Sequence, residues 1–254
     1  PHAAAGRGAR AAPAGARPAL STPVPPFDLP RRAARARSAC TRKRTFMCEP
    51  APPTSLPPPR RARVLLGATG SVAALKLPLL AGALRAAGAD VRIAASERAL
   101  AFFDAAALCA DGFEVLTDHD EWGPWQKVGD PVLHIELRRW ADALVLAPLS
   151  ANSLAKCAHG LADNLVTCVF RAWDFSSPVL VAPAMNTFMW ESPFTEKQLG
   201  VLRELGARVV PTVVKELACG DVGDGAMAEY TTIASAVVEA LHGVPGVAPL
   251  SGLR

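Results

Sequence analysis

Two side chains in the sequence suit proton transfer near neutral pH, and each lies in a distinctive segment. His134 begins HIELRRWAD, where two acidic and two arginine side chains could set the protonation of its imidazole. Cys219 lies in LACGDVGDGAM, where three glycines within seven residues indicate a flexible flap that presents a thiol. The alternative is that the histidine is structural and that the cysteine is incidental to its loop.

Small polar residues form a second group, whose chemistry suits a phosphate. In Gly67-Ala-Thr-Gly70-Ser71-Val72 the glycines let the backbone approach a ligand, and Ser71 can donate at a helix start, where free N–H groups stabilise an anion. The segment lacks the lysine of a P-loop and the spacing of GxGxxG, which argues against a nucleoside triphosphate or dinucleotide site. A tight strand-to-helix turn without a ligand is the alternative.

Two further segments place polar groups among small or apolar neighbours. Pro148-Leu-Ser150-Ala-Asn152-Ser153 opens another helix with hydroxyl and amide groups that suit a phosphate or a polar ring edge, although Ser and Asn are also ordinary N-caps. In Pro183-Ala-Met-Asn186-Thr-Phe-Met189-Trp190 one amide stands among two sulfurs and two aromatic rings. Such an amide can donate to a carboxylate while the apolar groups exclude water; a packed loop with a hydrogen-bonded asparagine is the alternative.

Most of these segments follow short apolar runs that predict strands. The runs end at Leu66, Ala95, Ala147 and Ala182, and a further strand is predicted over Ala207–Val210. Helical patterns reach about Ala87, lie near Glu97–Phe103, start at Ala151, span about Phe194–Leu205 and cover Thr231–His242. A long polar and aromatic loop is predicted from about Thr117 to Pro131, with His134 in the segment that enters the strand Ala143–Ala147.

Continuous apolar strands separated by helices indicate a parallel sheet covered on both faces, because a strand buried on both sides needs apolar residues at every position. We therefore predict a single-domain, doubly wound α/β fold over residues 61–254. Ligands of such sheets bind at the carboxyl ends of the strands, so the loops after the four longer runs are expected to form the site.

Composition separates the first sixty residues from the rest. Residues 1–60 hold 13 of the 23 prolines and 11 basic against two acidic side chains, a net charge of +9, whereas the other 194 residues have 16 basic and 21 acidic side chains, a net charge of −5. We predict a disordered tail, with the natural start at Met47 and residues 1–46 as a gene-model extension rather than a transit peptide. Because the positive charge belongs to the tail, a nucleic-acid-binding domain is not indicated.

The six cysteines form no CxxC pair, and a domain of this size can fold without disulfides, so we expect reduced thiols in the cytoplasm. No apolar run reaches the ~18–20 residues that span a bilayer, and we predict neither membrane insertion nor a metal site.

Five segments, GATGSVAA, HIELRRWAD, APLSANSLAK, PAMNTFMW and LACGDVGDGAMAE, resemble in the same order the phosphopantothenoylcysteine decarboxylases of coenzyme A biosynthesis. These belong to the wider group of flavin-containing cysteine decarboxylases. The resemblance covers about residues 63–241, is closest to the plant halotolerance-type members, and rests above all on the highly specific pattern PxMNxxMW. It implies a flavodoxin-like, Rossmann-type three-layer fold that binds FMN and assembles as a homotrimer.

The resemblance also implies a cofactor site in which the FMN phosphate lies on the first glycine turn and on the helix start after the third strand. The implied FMN contacts are Gly70, Ser71, Val72, Ser96, Glu97, Arg98, Ser150, Ala151, Asn152, Ser153 and Ala184.

The implied reaction converts 4′-phosphopantothenoylcysteine to 4′-phosphopantetheine and CO2. The thiol-bearing carbon is first oxidised to a thioaldehyde with FMN as electron acceptor, the thioaldehyde accepts the electron pair left by CO2 to give an enethiol, and the enethiol is then reduced. The resemblance assigns acid–base work at the first two stages to His134, the substrate carboxylate to Asn186 with Met189, protonation of the enethiol to Cys219, and a backbone contact with substrate to Ala218.

Other functions, some with the same fold and some of a different class, fit the sequence less well. Decarboxylation of peptidyl cysteines and prenyl transfer to flavin keep the fold, but the Cys219 flap argues against both, because those relatives do not reduce an enethiol. A regulatory subunit of a protein phosphatase usually acts through an acidic tail, which the sequence does not show, and a nucleotide-binding oxidoreductase lacks its GxGxxG. Glu216 stands where related chains often carry a basic side chain, so a phosphate contact there is not expected.

Overall fold

A six-stranded parallel sheet organises the chain, with strand order β3-β2-β1-β4-β5-β6. The strands are β1 Arg63–Ala68, β2 Asp90–Ala95, β3 Glu114–Leu116, β4 Ala143–Leu149, β5 Val179–Pro183 and β6 Arg208–Val209. The strand order reverses direction between β1 and β4, and such a reversal opens a crevice at the carboxyl edge of the sheet. The predicted doubly wound α/β fold is therefore confirmed.

The computed structural model describes residues 59–216, 220 and 222–251, so residues 1–58 of the predicted tail, Ala218 and Cys219 lie outside the described residues. The helices are α1 Leu77–Ala86, α2 Ala105–Ala110, α3 Asp118–Trp122, α4 Leu133–Trp140, α5 Ala151–His159, α6 Leu165–Arg171, α7 Thr187–Trp190, α8 Pro193–Glu204 and α9 Tyr230–Leu241. Short 3₁₀ helices cover Val72–Lys76 and Ala99–Ala101. Within the described part of the chain, no helix is long and apolar enough to cross a bilayer.

The continuous apolar strands arise because helices cover both faces of the sheet. In β1, Val64 and Leu66 pack into a core that includes Leu80 of α1 and Ile233 of α9, and the side chain between them, Leu65, packs into the opposite core. That second core is built with α4, α5, α6 and α8, which contribute Leu137, Leu154, Leu165, Val166, Leu199 and Leu202. Strand side chains alternate between the faces, so a sheet covered on both sides is apolar at successive positions.

Two sequence predictions about local structure are wrong, and capping explains both. The helix expected near Glu97–Phe103 is only a 3₁₀ turn, because Asp104 accepts from the Ala107 N–H at 3.0 Å and starts α2 after it. The loop expected over residues 117–131 contains α3, whose capping box joins Thr117 and Asp120. The short edge strand β3 was not predicted.

The segment around His134 also differs from expectation. It does not enter the β4 strand directly but forms helix α4, which ends at Trp140 just before β4 begins at Ala143. A helix that leads into a parallel strand runs antiparallel to it, so the first turn of α4, with His134, lies towards the carboxyl edge of the sheet.

The predicted glycine flap is part of a separate antiparallel hairpin. Its strands are β7 Val213–Glu216 and β8 Val222–Ala226, and the connection between them contains the residues that the structure does not describe. We call these two strands the hairpin.

Candidate active site

The loops after β1 and β4 are joined by one buried hydroxyl group. Thr69 Oγ1 donates to the carbonyl oxygen of Pro148 at 2.8 Å and accepts from the Ser150 backbone N–H at 2.8 Å. Thr69 is 1% exposed, so the two bonds are shielded from water. The two segments that were predicted to bind phosphate are therefore held side by side at the crevice. Thr69 lies inside the first glycine turn, but no sequence pattern marked it as a residue of the site.

Gly70 lies where the turn after β1 meets the turn after β2. A Cβ atom added at Gly70 would lie 2.7 Å from Cβ of Arg98, so the close approach of these turns requires a glycine. Ser71 accepts from the Ala73 N–H at 3.4 Å and begins the 3₁₀ helix, and Val72 is exposed.

The turn after β2 and the start of α5 hold the other predicted cofactor contacts. Ser96 is buried and its N–H donates to the carbonyl oxygen of Ala68 at 3.0 Å, whereas the next two residues, Glu97 and Arg98, are exposed. Ser150 accepts from the Ser153 N–H at 3.3 Å. Both of these serines are buried, Ala151 is half-buried and Asn152 is exposed.

Ser71 and Ser150 thus act as N-caps, which is the structural role that the sequence also allowed. A capping serine still presents the first N–H groups of its helix, so this role does not compete with a phosphate at the same end. Ala184 is buried directly after β5, and its N–H donates to the carbonyl oxygen of Leu149 at 2.9 Å. All eleven predicted FMN contacts therefore lie in the loops and first helical turns that follow the strands at the carboxyl edge of the sheet.

Asn186 begins helix α7 through its own side chain. Its Oδ1 atom accepts from the Phe188 N–H at 2.8 Å, which fixes the direction of the amide. Asn186 is half-buried and Met189 is 50% exposed, so both are accessible to a small molecule.

The hairpin packs on the Asn186 loop. The Met185 N–H donates to the carbonyl oxygen of Gly225 at 2.9 Å, and Thr187 Oγ1 donates to that of Asp224 at 2.9 Å. A Cβ atom added at Gly223 would lie 2.5 Å from Thr187 Oγ1, so the contact depends on a small residue there. The strands that flank Cys219 in sequence are consequently attached to the loop that carries the predicted carboxylate-binding amide.

His134 is held by a carboxylate that the sequence analysis did not identify. Oε1 of Glu121 lies 2.5 Å from Nδ1 of His134, and Oε2 accepts the His134 backbone N–H at 3.0 Å. The Glu121 side chain is 2% exposed and the His134 side chain 22% exposed. Glu121 comes from α3, in the region predicted to be a loop, so no periodic pattern in the sequence pointed to it.

The two buried cysteines among the described residues are poor candidates for a reactive thiol. Cys157 and Cys168 are buried and Cys109 is exposed, and all three are free. Burial raises the pKa of the Cys157 thiol to about 12 and raises that of Cys168 as well, so both stay protonated at neutral pH.

These residues fit the phosphate end of a flavin mononucleotide. The glycine at Gly70 lets the turn after β1 pack closely on the turn after β2, and small hydroxyl groups stand in the loops after β1 and β4. Residues 67–72 and 148–153 include no charged side chain. These two loops would therefore bind a phosphate through N–H and hydroxyl donors, as phosphate-binding helix starts do.

Family and sequence comparisons agree with this arrangement. The sequence model of the family described as Flavoprotein matches residues 55–242. Phosphopantothenoylcysteine decarboxylase HAL3a of Glycine max is 56% identical over 179 residues, which are 70% of this chain and 84% of the relative. Phosphopantothenoylcysteine decarboxylase of Mus musculus is 50% identical over 187 residues, which are 72% of this chain and 90% of the relative.

Solved structures show the same likeness. A cysteine-to-serine mutant of PPC decarboxylase complexed with pantothenoylaminoethenethiol is 54% identical, with a TM-score of 0.68 over 70% of this chain and 97% of the other. The FMN binding protein AtHal3 is 55% identical, with a TM-score of 0.65 over 70% of this chain and 95% of the other. The FMN-dependent cysteine decarboxylase SpaF is 31% identical, with a TM-score of 0.59 over 70% and 97%.

Proposed function

The chain belongs to the flavoprotein family, and we propose that it is the FMN-dependent enzyme that decarboxylates 4′-phosphopantothenoylcysteine to 4′-phosphopantetheine. The observation that carries this function is the identity of 50–56% to phosphopantothenoylcysteine decarboxylases of plants and mouse, over 70–72% of this chain. The fold and the grouping of small polar donors at the crevice support the same conclusion.

FMN, when bound, supplies a two-electron acceptor and donor, without which the α-carboxylate has no electron sink for its decarboxylation. Residues of the two loops around Gly70 and Ser150 would hold its phosphate with N–H and hydroxyl donors, and the turn at Ser96 would add further cofactor contacts. Thr69 keeps two of those loops together, so that the donors are arranged before the cofactor arrives.

The substrate would be contacted by three side chains, those of His134, Asn186 and Cys219, and by the Ala218 backbone. His134 takes and holds a proton during oxidation and decarboxylation, because an imidazole nitrogen with a free lone pair can accept one. Asn186 binds the substrate carboxylate with its amide, and the Met189 side chain beside it keeps water from that contact. Cys219 protonates the enethiol and the Ala218 backbone contacts the substrate; both residues lie outside the described part of the chain.

The nearest alternative is a decarboxylase of peptidyl cysteines. SpaF, a cysteine decarboxylase by its name, shares 31% of its residues, well below the identity to phosphopantothenoylcysteine decarboxylases. The solved mutant that holds an enethiol-type compound lost a cysteine, which supports a role of a thiol after decarboxylation. The presence of Cys219 in this chain therefore favours a product that is reduced to the thiol.

We further propose that the enzyme is a cytoplasmic homotrimer. Leu75 and Leu79, near the start of α1, are 61% and 53% exposed, and Phe188 and Phe194 are 75% and 72% exposed. Apolar side chains of this size are the kind that subunit contact buries.

Free rather than paired thiols at Cys157 and Cys168 are compatible with a reducing compartment such as the cytoplasm. Sedimentation of the purified chain would measure its oligomeric state. Imaging of the tagged protein would show its location in the cell.

The function is tested with the full chain purified with its flavin. Incubation with 4′-phosphopantothenoylcysteine should give 4′-phosphopantetheine by mass spectrometry, and removal of the flavin should abolish turnover until FMN is added back. A parallel reaction with a peptide that ends in cysteine examines the alternative. Unchanged 4′-phosphopantothenoylcysteine in the presence of flavin-loaded protein would contradict the proposal, as would turnover by the flavin-free protein.

A further inference from the structure

We propose that Glu121 is a positioning residue of the active site, which holds His134 in the tautomer protonated on Nδ1 and leaves Nε2 to exchange the proton with the substrate. This inference rests on the proposed function, because it assigns a partner to the histidine of that site. It concerns a residue that lies thirteen positions away in sequence and that no motif contains.

Both oxygen atoms of Glu121 are directed at the same residue. Oε2 accepts the backbone N–H of His134 at 3.0 Å, and Oε1 lies 2.5 Å from its Nδ1 atom. In the proposed arrangement Glu121 is a carboxylate whose two oxygens both accept, so the imidazole donates from Nδ1 and the proton lies there. Nε2 then carries the lone pair, and a proton taken from the substrate binds there while the Nδ1–H bond to Glu121 persists.

A structural role explains only half of this geometry. Helix α4 has no side-chain cap at Val132, and the bond from the His134 N–H to Oε2 satisfies one of its free donors. That role does not require Oε1 to face the imidazole. A carboxyl group that is 98% shielded from water is costly unless it is fully hydrogen-bonded, and the imidazole supplies the second bond.

Helix α3, which carries Glu121, is fixed by two sets of hydrogen bonds. The capping box of Thr117 and Asp120 closes the first turn of α3, with the Thr117 N–H donating to Asp120 at 2.8 Å. Asp118 on the same turn accepts the Leu165 N–H at 2.6 Å and so ties α3 to the start of α6. A catalytic imidazole needs such a fixed partner, because a rotated or wrongly protonated ring presents no lone pair to the substrate.

Glu121→Gln tests the inference with little change of shape. Glutamine offers one acceptor and one donor where glutamate offers two acceptors. If its carbonyl caps the His134 N–H, its NH2 group faces Nδ1 and the ring must carry its proton on Nε2. We expect ¹⁵N NMR of histidine-labelled, flavin-loaded enzyme to show His134 protonated on Nδ1 in the wild type and on Nε2 in the variant. We expect kcat to fall by about 10–100-fold, with KM and flavin content retained.

Glu136→Gln is the matched control. Glu136 lies on the same helix α4, is 56% exposed and has only a 3.9 Å contact with Arg139, so its loss should leave the His134 tautomer and kcat unchanged. The His134 signal is assigned by its disappearance in His134→Asn.

Two results would overturn the inference: a bare Nδ1 in the wild-type spectrum, or wild-type kcat in a folded, flavin-loaded Glu121→Gln. If that variant does not fold, the wild-type spectrum still decides the tautomer. If the wild type shows Nδ1–H but releases no CO2, the proposed function fails whereas the hydrogen bond from His134 to Glu121 stands, so the two failures are distinguishable.

Discussion

The backbone N–H of Met185 donates to the carbonyl oxygen of Gly225 at 2.9 Å, and this bond fastens the hairpin to the loop that carries Asn186. Thr187 adds a second bond to the hairpin through Asp224, and Thr212 Oγ1 donates to the Asp224 carboxylate at 2.5 Å. The loop that would bind the substrate carboxylate is therefore joined by two hydrogen bonds to β8, one of the strands that flank Cys219 in sequence.

Gly225→Ala should weaken this connection. Gly225 has φ +114°, and a Cβ atom there would lie 2.7 Å from the Met185 carbonyl oxygen, so the hairpin must shift. We expect decarboxylation to continue while reduction slows, with the enethiol product detected by mass spectrometry. Gly243→Ala is the control, since Gly243 also has a positive φ, +83°, but open space around its Cβ position. Both variants should lose about 1–2 kcal/mol from backbone strain, and an equal product pattern in the two would contradict the coupling.

Gly70→Ala should impair flavin binding. The added Cβ would lie 2.7 Å from Cβ of Arg98 and would force apart the turns that form the predicted phosphate cradle. We expect a folded protein with less bound flavin, measured as the ratio of flavin to protein absorbance after desalting. Gly82→Ala is the matched control: Gly82 lies in α1 with nothing within 4 Å of its Cβ position, so alanine should keep the flavin and stabilise the helix by about 0.5–1 kcal/mol. Full flavin content in Gly70→Ala would argue against a cradle there.

His134→Asn should keep the flavin and release no CO2, because asparagine cannot take up a proton near neutral pH. Its flavin absorbance and CO2 evolution would be measured beside His242→Asn, which changes an exposed histidine at the end of α9. Turnover at the wild-type rate would remove His134 from the mechanism.

Cys219→Ser should decarboxylate the substrate but stall before reduction, because a hydroxyl group is a far weaker acid than a thiol with a pKa of ~8.5. Mass spectrometry should then find an enethiol, two hydrogens short of 4′-phosphopantetheine. Cys109→Ser, at an exposed cysteine of α2, should give the normal product. Normal product from Cys219→Ser as well would refute the assignment.

Asp142→Asn should lower stability in a pH-dependent way. Burial alone would raise the pKa of Asp142, but the hydrogen bonds from the Arg60 guanidinium and the Arg63 N–H outweigh it and hold the pKa below its usual range. A folded-state pKa below the unfolded value of about 3.9 stabilises the protein above that pH, and the contribution disappears as the pH falls through the folded-state pKa.

Urea unfolding at pH 7 should therefore show a loss of about 1–2 kcal/mol for Asp142→Asn, from three charge-assisted hydrogen bonds of which the two with Arg60 are partly exposed. The difference from wild type should shrink below pH 4 or so. Glu196→Gln, which removes an exposed ion pair with Arg203, should change little. A deficit for Asp142→Asn that stays constant down to acid pH would contradict the ionic origin.

Much of the fold could be predicted from local patterns in the sequence. The runs ending near Leu66, Ala95, Ala147 and Ala182 are apolar at successive positions, because helices cover both faces of the sheet, and each is a strand that ends within two residues of the predicted position. Helices α2 and α3 were missed because caps such as Asp104 and Thr117 decided where they start, and a cap changes one or two residues rather than a periodic pattern.

By itself the sequence determined the strands, the order of the five motifs and the residue types at the carboxyl edge, since these depend on side chains next to one another in the chain. Only the tertiary structure decided which of these residues contact one another. Thr69 bonds to Ser150 across 81 positions, and Glu121 reaches His134 from a separate short helix. Such pairs are set by how helices and loops pack on the sheet, and packing brings together residues whose spacing in sequence carries no signal.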